Sequence, residues 1–260
     1  MRDFHLPGRS AVFATNGMCA TSHPLATATA LEILKSGGNA VDAAIAGAVL
    51  LGICEPQMTG LGGDMFALIQ KNPSADVVSL NGSGRAPKAA NAAGLRSQGL
   101  SAVPIHSSDA ITVPGAVDGF CRMSKDFGSL GLGEVLAPAT HYARAGVPVA
   151  PKAAFDWEES AALLQGTARD KYLISGAAPK VGQIFASPTQ ADALDLIASD
   201  GRDGFYSGAV AEDMVASLQA AGGSHTMEDF LATNATYGTP LRSSYQGVEM
   251  LEHPANGQGA

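Results

Sequence analysis

Between Ala20 and Asp64 the chain carries helix-forming runs broken at Gly37-Gly38-Asn39 and closed by Gly60-Leu61-Gly62-Gly63. Ser22 has the chemistry of an N-cap, and Pro24 fits the first helical turn, where a missing N–H costs nothing. Leu25, Ala28, Ala30, Leu31 and Leu34 then trace one face at helical spacing. Asn39 is placed to cap a second helix, with Asp42 where a reciprocal capping carboxylate belongs. From Ala40 to Ile53 that helix is apolar nearly all round, which predicts burial on all sides rather than a surface position. The chain thus begins with a buried helical hairpin that hands the backbone, through Glu55-Pro56, to a tight glycine turn. That turn follows a helix and precedes a strand, the reverse of the order a dinucleotide site requires. It reads as a structural turn beside a site. Asp64, next to it, either bonds a turn amide or lines the pocket.

Upstream, residues 1–21 read as a loop followed by a short strand at Ala11-Val12-Phe13-Ala14. Downstream, 66–70 and 77–80 read as strands joined by an Asn72-Pro73-Ser74-Ala75-Asp76 turn, and Asn81 to Pro87 as an irregular loop. Ile111-Thr112-Val113-Pro114-Gly115 reads as a strand end before a helix over 116–127. A helix over 132–145 contains Pro138, which predicts a kink or a break. Further helices are expected near 153–164, 190–199, 209–220 and 227–232, and a last strand over 248–251. Residues 150–235 are expected to form a helical lobe.

Charged residues make up only 15% of the chain, and the formal net charge is −8. An acidic chain without a Lys/Arg cluster has no basic stripe for nucleic acid. The longest apolar run, from Ala43 to Cys54, is shorter than the ~20 residues a bilayer span takes. No signal peptide is visible, so a cytoplasmic location is expected, or a periplasmic one if a leader has been removed. Cys19, Cys54 and Cys121 have neither zinc-ligand nor paired-thiol spacing, and the odd count favours a reducing compartment. Cys54 reads as core. His23 reads as a locally bonded residue at a helix start, and the remaining histidines show no metal spacing. Glu158-Glu159 and Asp200-Gly201-Arg202-Asp203 read as solvated helix ends or turns.

Several blocks together resemble the gamma-glutamyltransferase family. They are Ser22-His23-Pro24-Leu25-Ala26, Leu31 to Ala44, Glu55-Pro56 with Gly60-Leu61-Gly62-Gly63, and Thr112-Val113-Pro114-Gly115-Ala116-Val117. Gly204-Phe205-Tyr206-Ser207-Gly208 and Ala221-Gly222-Gly223 with Asp229-Phe230 follow, then the tail from Pro254 to Gly259. They occur in family order across nearly the whole chain. The resemblance implies an α/β (α+β) fold, the four-layer α-β-β-α sandwich of N-terminal-nucleophile hydrolases, only partly contained in this chain. Residues 1–260 would be a large-subunit segment of one such domain. It also implies a precursor that cuts itself, with the nucleophile being the N-terminal Thr of a small subunit. No Thr-Thr-His-like start is present here, so the catalytic residue is expected outside this chain, in a small-subunit partner. The substrate would be a small-molecule acyl amide with a carboxylate. No metal or organic cofactor is implied.

The family loop reads Arg-x-x-Ala-Pro where this chain has Ser83-Gly84-Arg85-Ala86-Pro87. Ser83 takes the place of the Arg that grips the substrate carboxylate, and Arg85 lies two positions on. Alternate positions of an extended segment point the same way, so Arg85 and Ser83 are the candidate substrate-binding residues. Two readings of Arg85 remain, a contact to substrate or a bond to nearby carbonyls. Asp64 and the Pro-Ala-Asn-Gly-Gln-Gly tail also depart from the transferase pattern. They resemble the acylase and amidohydrolase side of the superfamily (cephalosporin-acylase-like or oxamate-amidohydrolase-like). The alternatives to a gamma-glutamyl enzyme are therefore such an acylase, or a catalytically silent scaffold.

Overall fold

The helical hairpin forms as α1 (Pro24–Lys35) and α2 (Ala40–Cys54), packed side by side. This computed structural model describes residues 11–257 and 259; the first ten residues of the loop and strand expected over 1–21, and Gln258 and Ala260 in the tail, lie outside the described residues. His23, not Ser22, caps α1: its Nδ1 accepts from Leu25 N at 3.2 Å. Ser22 is drawn elsewhere, because its Oγ donates to Glu55 Oε2 at 2.5 Å and ties the start of α1 to the end of α2. The buried face of α1 is Ala26, Thr29, Ala30 and Ile33. Leu25, Leu31 and Leu34 are half-buried, and Ala28 is exposed. Small side chains win the interface because they let α2 approach, with Gly47 opposite Ala26 and Ala30.

The Asn39 cap of α2 is as expected. Asn39 Oδ1 accepts from Val41 N and Asp42 N, and Asp42 Oδ2 accepts from Asn39 N at 2.9 Å. The same buried oxygen accepts from Ser129 N at 2.9 Å, so the cap also holds a turn 87 positions away. Ten of the fifteen residues of α2 are buried. Ala40 and Ala44 are not: they border an apolar groove beside the first strand.

That strand, β1 (Met65–Ile69), runs antiparallel to β2 (Val78–Gly82), so Asn81 and Gly82 belong to the strand rather than to the loop. α3 (Ala92–Ser97) follows; then α4 (Ala116–Phe127) lies on β1 and β2, and α5 (Leu132–Ala145) on α2. Pro138 neither breaks nor ends α5. The carbonyl it frees belongs to exposed Glu134, where solvent can satisfy it.

β3 (Val147–Pro148) pairs with β4 (Ile184–Phe185) around α6 (Pro151–Ala161) and α7 (Thr167–Tyr172). Val149, Ala153, Trp157 and Phe185 form a small separate cluster there. α8 (Pro188–Asp200), α9 (Asp203–Tyr206), α10 (Gly208–Ala220) and α11 (Met227–Leu231) instead contribute to the main core, through Leu194, Tyr206, Val215 and Phe230 among others. β5 (Thr236–Gly238) joins the free side of β2, and β6 (Leu241–Tyr245) with β7 (Val248–Glu252) makes a terminal hairpin.

Two expected strands do not form. Residues 11–14 are irregular, with Phe13 91% exposed, and 111–115 is extended without a ladder partner. The latter segment is instead held from below. Tyr206 Oη donates to Pro114 O at 2.8 Å and accepts from Asp118 N at 3.1 Å. Asp118, 4% exposed, accepts from Arg202 Nε at 2.7 Å and from Ala235 N at 2.6 Å. Arg202 also donates to the carbonyls of Leu231 and Thr233. It is therefore not a solvated turn residue but a clamp joining α4, α9 and the approach to β5.

Removing one partner of a buried ion pair leaves an uncompensated charge. Asp118→Ala is expected to destabilise the protein by on the order of 3 kcal/mol, read as a shifted urea midpoint. His23 supplies a pH dependence. Burial lowers its pKa, and Glu55 nearby offsets this only in part. Below about pH 6.5 an unfolded His binds a proton that the folded one refuses. Stability is then expected to fall as pH drops from there through the lowered folded value. His23→Gln should flatten that slope in unfolding curves measured across it.

Candidate functional site

The glycine turn is closed by Gly63 N donating to Gly60 O at 3.1 Å. It docks on the start of α4, where Gly63 O accepts from Gly115 N and Ala116 N, both at 3.0 Å. The chain leaving β2 crosses the same spot. Val113 N donates to Arg85 O at 2.9 Å, and the two backbones touch. A Cβ on Gly84 would stand 1.5 Å from Val113 O, and one on Gly115 would stand 2.3 Å from Gly82 O. Only glycine permits this approach. With the backbone pressed flat on one side, Ser83 and Arg85 both face the other.

There they line one polar cavity of about 200 Å³ with Asn81, Asn234, Thr236 and Asn256. The alternation expected of Ser83 and Arg85 thus brings both to one place. Arg85 is exposed and has no ion-pair partner among the described residues. Ser83 is bonded on both sides: its Oγ donates to Asp64 Oδ2 at 2.9 Å and accepts from Asn256 Nδ2 at 2.8 Å. Asp64 Oδ1 accepts from Gly84 N at 2.8 Å, so Asp64 does bond a turn amide. Asn81 Oδ1 accepts from Ser83 N at 2.9 Å, while its Nδ2 donates to Asn256 Oδ1 at 3.0 Å.

Four of these lining residues escaped the sequence reading: Asn81, Asn234, Thr236 and Asn256. Asn81 and Asn256 each precede a glycine and look like ordinary turn residues. Their partnership, 175 positions apart, exists only in the fold. Asn234 is held by Arg122, whose Nη1 donates to Asn234 Oδ1 at 3.1 Å and to Ala235 O at 2.5 Å.

Other reactive groups are disarmed. Burial pushes the thiols of Cys54 and Cys121 up to about 12, so neither supplies a thiolate at neutral pH. His23 uses its Nδ1 as a cap and faces no hydroxyl as a base would. What the cavity offers is recognition: a guanidinium, carboxamides and hydroxyls arranged to hold a small polar group. Among the described residues no helix is long and apolar enough to cross a membrane.

The gamma-glutamyltranspeptidase family model matches residues 26–260. The glutathione hydrolase-like YwrD proenzyme of Bacillus subtilis is 39% identical over 95% of this chain and 47% of its own length. The oxamate amidohydrolase proenzyme of Klebsiella pneumoniae is 34% identical over 90% of this chain and 45% of its own. The crystal structure of cephalosporin acylase from Bacillus halodurans superposes with a TM-score of 0.89 at 36% identity, covering 97% of this chain and 48% of that one. This chain therefore spans about half the length of the curated relatives it matches, and its mixed helix–strand fold is that of the solved acylase. With the family's blocks in order and its fold reproduced around the Ser83–Arg85 cavity, the chain belongs to the gamma-glutamyltranspeptidase family.

Proposed function

We propose that these residues build the acyl-side wall of an amide hydrolase or acyltransferase site. The observation that carries this is the polar cavity at the Gly84–Gly115 crossing, with Arg85 on its rim. The reactive hydroxyl comes from a small subunit, as the N-terminal Thr that the family resemblance implies. Its own α-amine takes the hydroxyl proton while the oxygen attacks the amide carbonyl. As the tetrahedral intermediate collapses, the α-ammonium gives that proton to the leaving amine, and an acyl-enzyme remains, which water or a second amine then cleaves. The large-subunit wall holds the acyl chain during both steps, and residues 1–260 form one segment of a single domain. This segment has no activity without its partner. The proenzyme names of the relatives support such a processed precursor.

The surface supports the same arrangement. Among the described residues β1 has β2 on one side only, so its other edge keeps unpaired backbone groups beside the groove it shares with α2. Phe66 and Leu68 point outward from the sheet, and Leu241, Tyr245, Val248 and Met250 are exposed on the terminal hairpin. Small-subunit strands would cover these apolar faces. Three free thiols fit a reducing compartment.

Ser83 in place of the family's Arg moves the cation by two positions and favours the acylase or amidohydrolase side over a strict gamma-glutamyl enzyme. A planar guanidinium at Arg85 suits an acyl-side carboxylate. In the full-length protein, Arg85→Ala is expected to raise KM for glutaryl-p-nitroanilide by about tenfold, as losing one charge-assisted pair does, and to leave butyryl-p-nitroanilide within about twofold. Equal changes for both would remove Arg85 from the site.

A further inference from the structure

We propose that Asn234 is a specificity-determining donor of this cavity, its amide nitrogen turned toward a ligand carboxylate by Arg122 behind it. The inference rests on the acyl-site reading above. It adds one residue that meets the ligand and one that positions it. It follows from which atoms can pair. A guanidinium carries donors only, so the Asn234 atom that Arg122 Nη1 reaches at 3.1 Å is the carboxamide oxygen. The nitrogen, on the other branch of the same flat group, is left to the cavity that Asn234 lines.

Arg122 is itself held in place. The same Nη1 donates to Ala235 O at 2.5 Å, and the guanidinium lies 4.8 Å from the centre of the Tyr237 ring. Tyr237 Oη donates to Asp126 Oδ2 at 2.6 Å, and Arg122 Nε lies 3.8 Å from that carboxylate, one turn along α4. α4 and the start of β5 thus grip the guanidinium together. Arg122 works through Asn234 and is a positioning residue. The other lining groups have fewer hydrogens to offer. Ser83 gives its single hydrogen to Asp64 Oδ2, Asn256 Nδ2 bonds Ser83, and Asn81 Nδ2 bonds Asn256. Among the described residues Asn234 is the lining carboxamide whose nitrogen bonds no other group. A guanidinium on its oxygen also polarises the carboxamide and strengthens the bond its nitrogen gives. Arg85 lines the same cavity, so two sets of donors face one space. A carboxylate, whose oxygens only accept, matches both.

Asn234→Asp tests this without loosening the fold. An oxygen still faces Arg122, now with a charge, so the grip on α4 is kept. The atom facing the ligand changes from donor to acceptor. In the full-length protein, the kcat/KM ratio of glutaryl- over butyryl-p-nitroanilide should fall about tenfold in this variant, chiefly through KM for the glutaryl substrate. Arg122→Met should lower the ratio in the same direction, and Arg122→Lys, which keeps a donor for the Asn234 oxygen, should restore part of it. Calorimetric titration of the full-length protein with glutarate, and with butyrate as the control, reads the same contact without turnover. Glutarate affinity should fall about tenfold in Asn234→Asp.

Glutarate affinity that is the same in wild type and Asn234→Asp overturns the proposal. So does an equal loss on both p-nitroanilides and both carboxylates, which would mark Asn234 as a purely structural support. A wild-type ratio in Arg122→Met overturns the positioning role. The acyl-site reading fails separately: if glutarate affinity follows Asn234 while the p-nitroanilide ratio does not, the cavity holds a carboxylate other than that of the acyl chain, and this assignment stands. If the ratio follows Asn234 but not Arg85, the Arg85 assignment alone falls.

Discussion

The site depends on one backbone crossing. The segment leaving β2 lies against the segment entering α4 so closely that Gly84 and Gly115 have no room for a side chain. Sealing that contact gives Ser83 and Arg85 a single direction to face. The crossing is itself supported from below: Tyr206 Oη holds Pro114 O, and the Asp118–Arg202 pair holds α4 to α9. It is closed from above by the glycine turn, whose Gly63 carbonyl accepts from Gly115 and Ala116. A chain of contacts thus runs from a buried ion pair to an exposed cavity. Its links are hydrogen bonds between named groups, most of them to the backbone.

Much of this is legible in the sequence. The Asn39–Asp42 cap, the break at Gly37-Gly38 and the helices after Gly115 and Gly131 all follow from local chemistry, and local chemistry does not depend on what packs nearby. Where tertiary contacts compete with local preference, the sequence misled. Ser22 is as good a cap as His23 until Glu55 takes its hydroxyl. Arg202 sits in a string of turn residues, and only the fold carries Asp118 to it. Val12 and Phe13 have strand propensity but no strand to pair with. The candidate site divided along the same line. Arg85 and Ser83 are picked out by the family loop they resemble, and alternation, which is local, puts them on one side; Asn81 and Asn256 meet across most of the chain.

The cavity differs from the family pattern in its charges rather than in its backbone. Moving a cation by two positions and placing a carboxylate at Asp64 leaves the backbone crossing intact while redistributing charge around it. In the proposed reading the glycines fix where the acyl group lies, and the side chains on either side decide what it carries. Relatives named as a glutathione hydrolase-like protein, an oxamate amidohydrolase and a cephalosporin acylase share this chain's fold or family over nearly all of its length.

The central claim is that these residues hold the acyl group while a hydroxyl from other polypeptide attacks it. Peptide mapping by mass spectrometry, after the full-length protein is quenched during turnover of a slow amide substrate, tests this most directly. The account predicts that the acyl mass sits on the N-terminal Thr of a second polypeptide. An acyl adduct on any residue between 11 and 257 would contradict it.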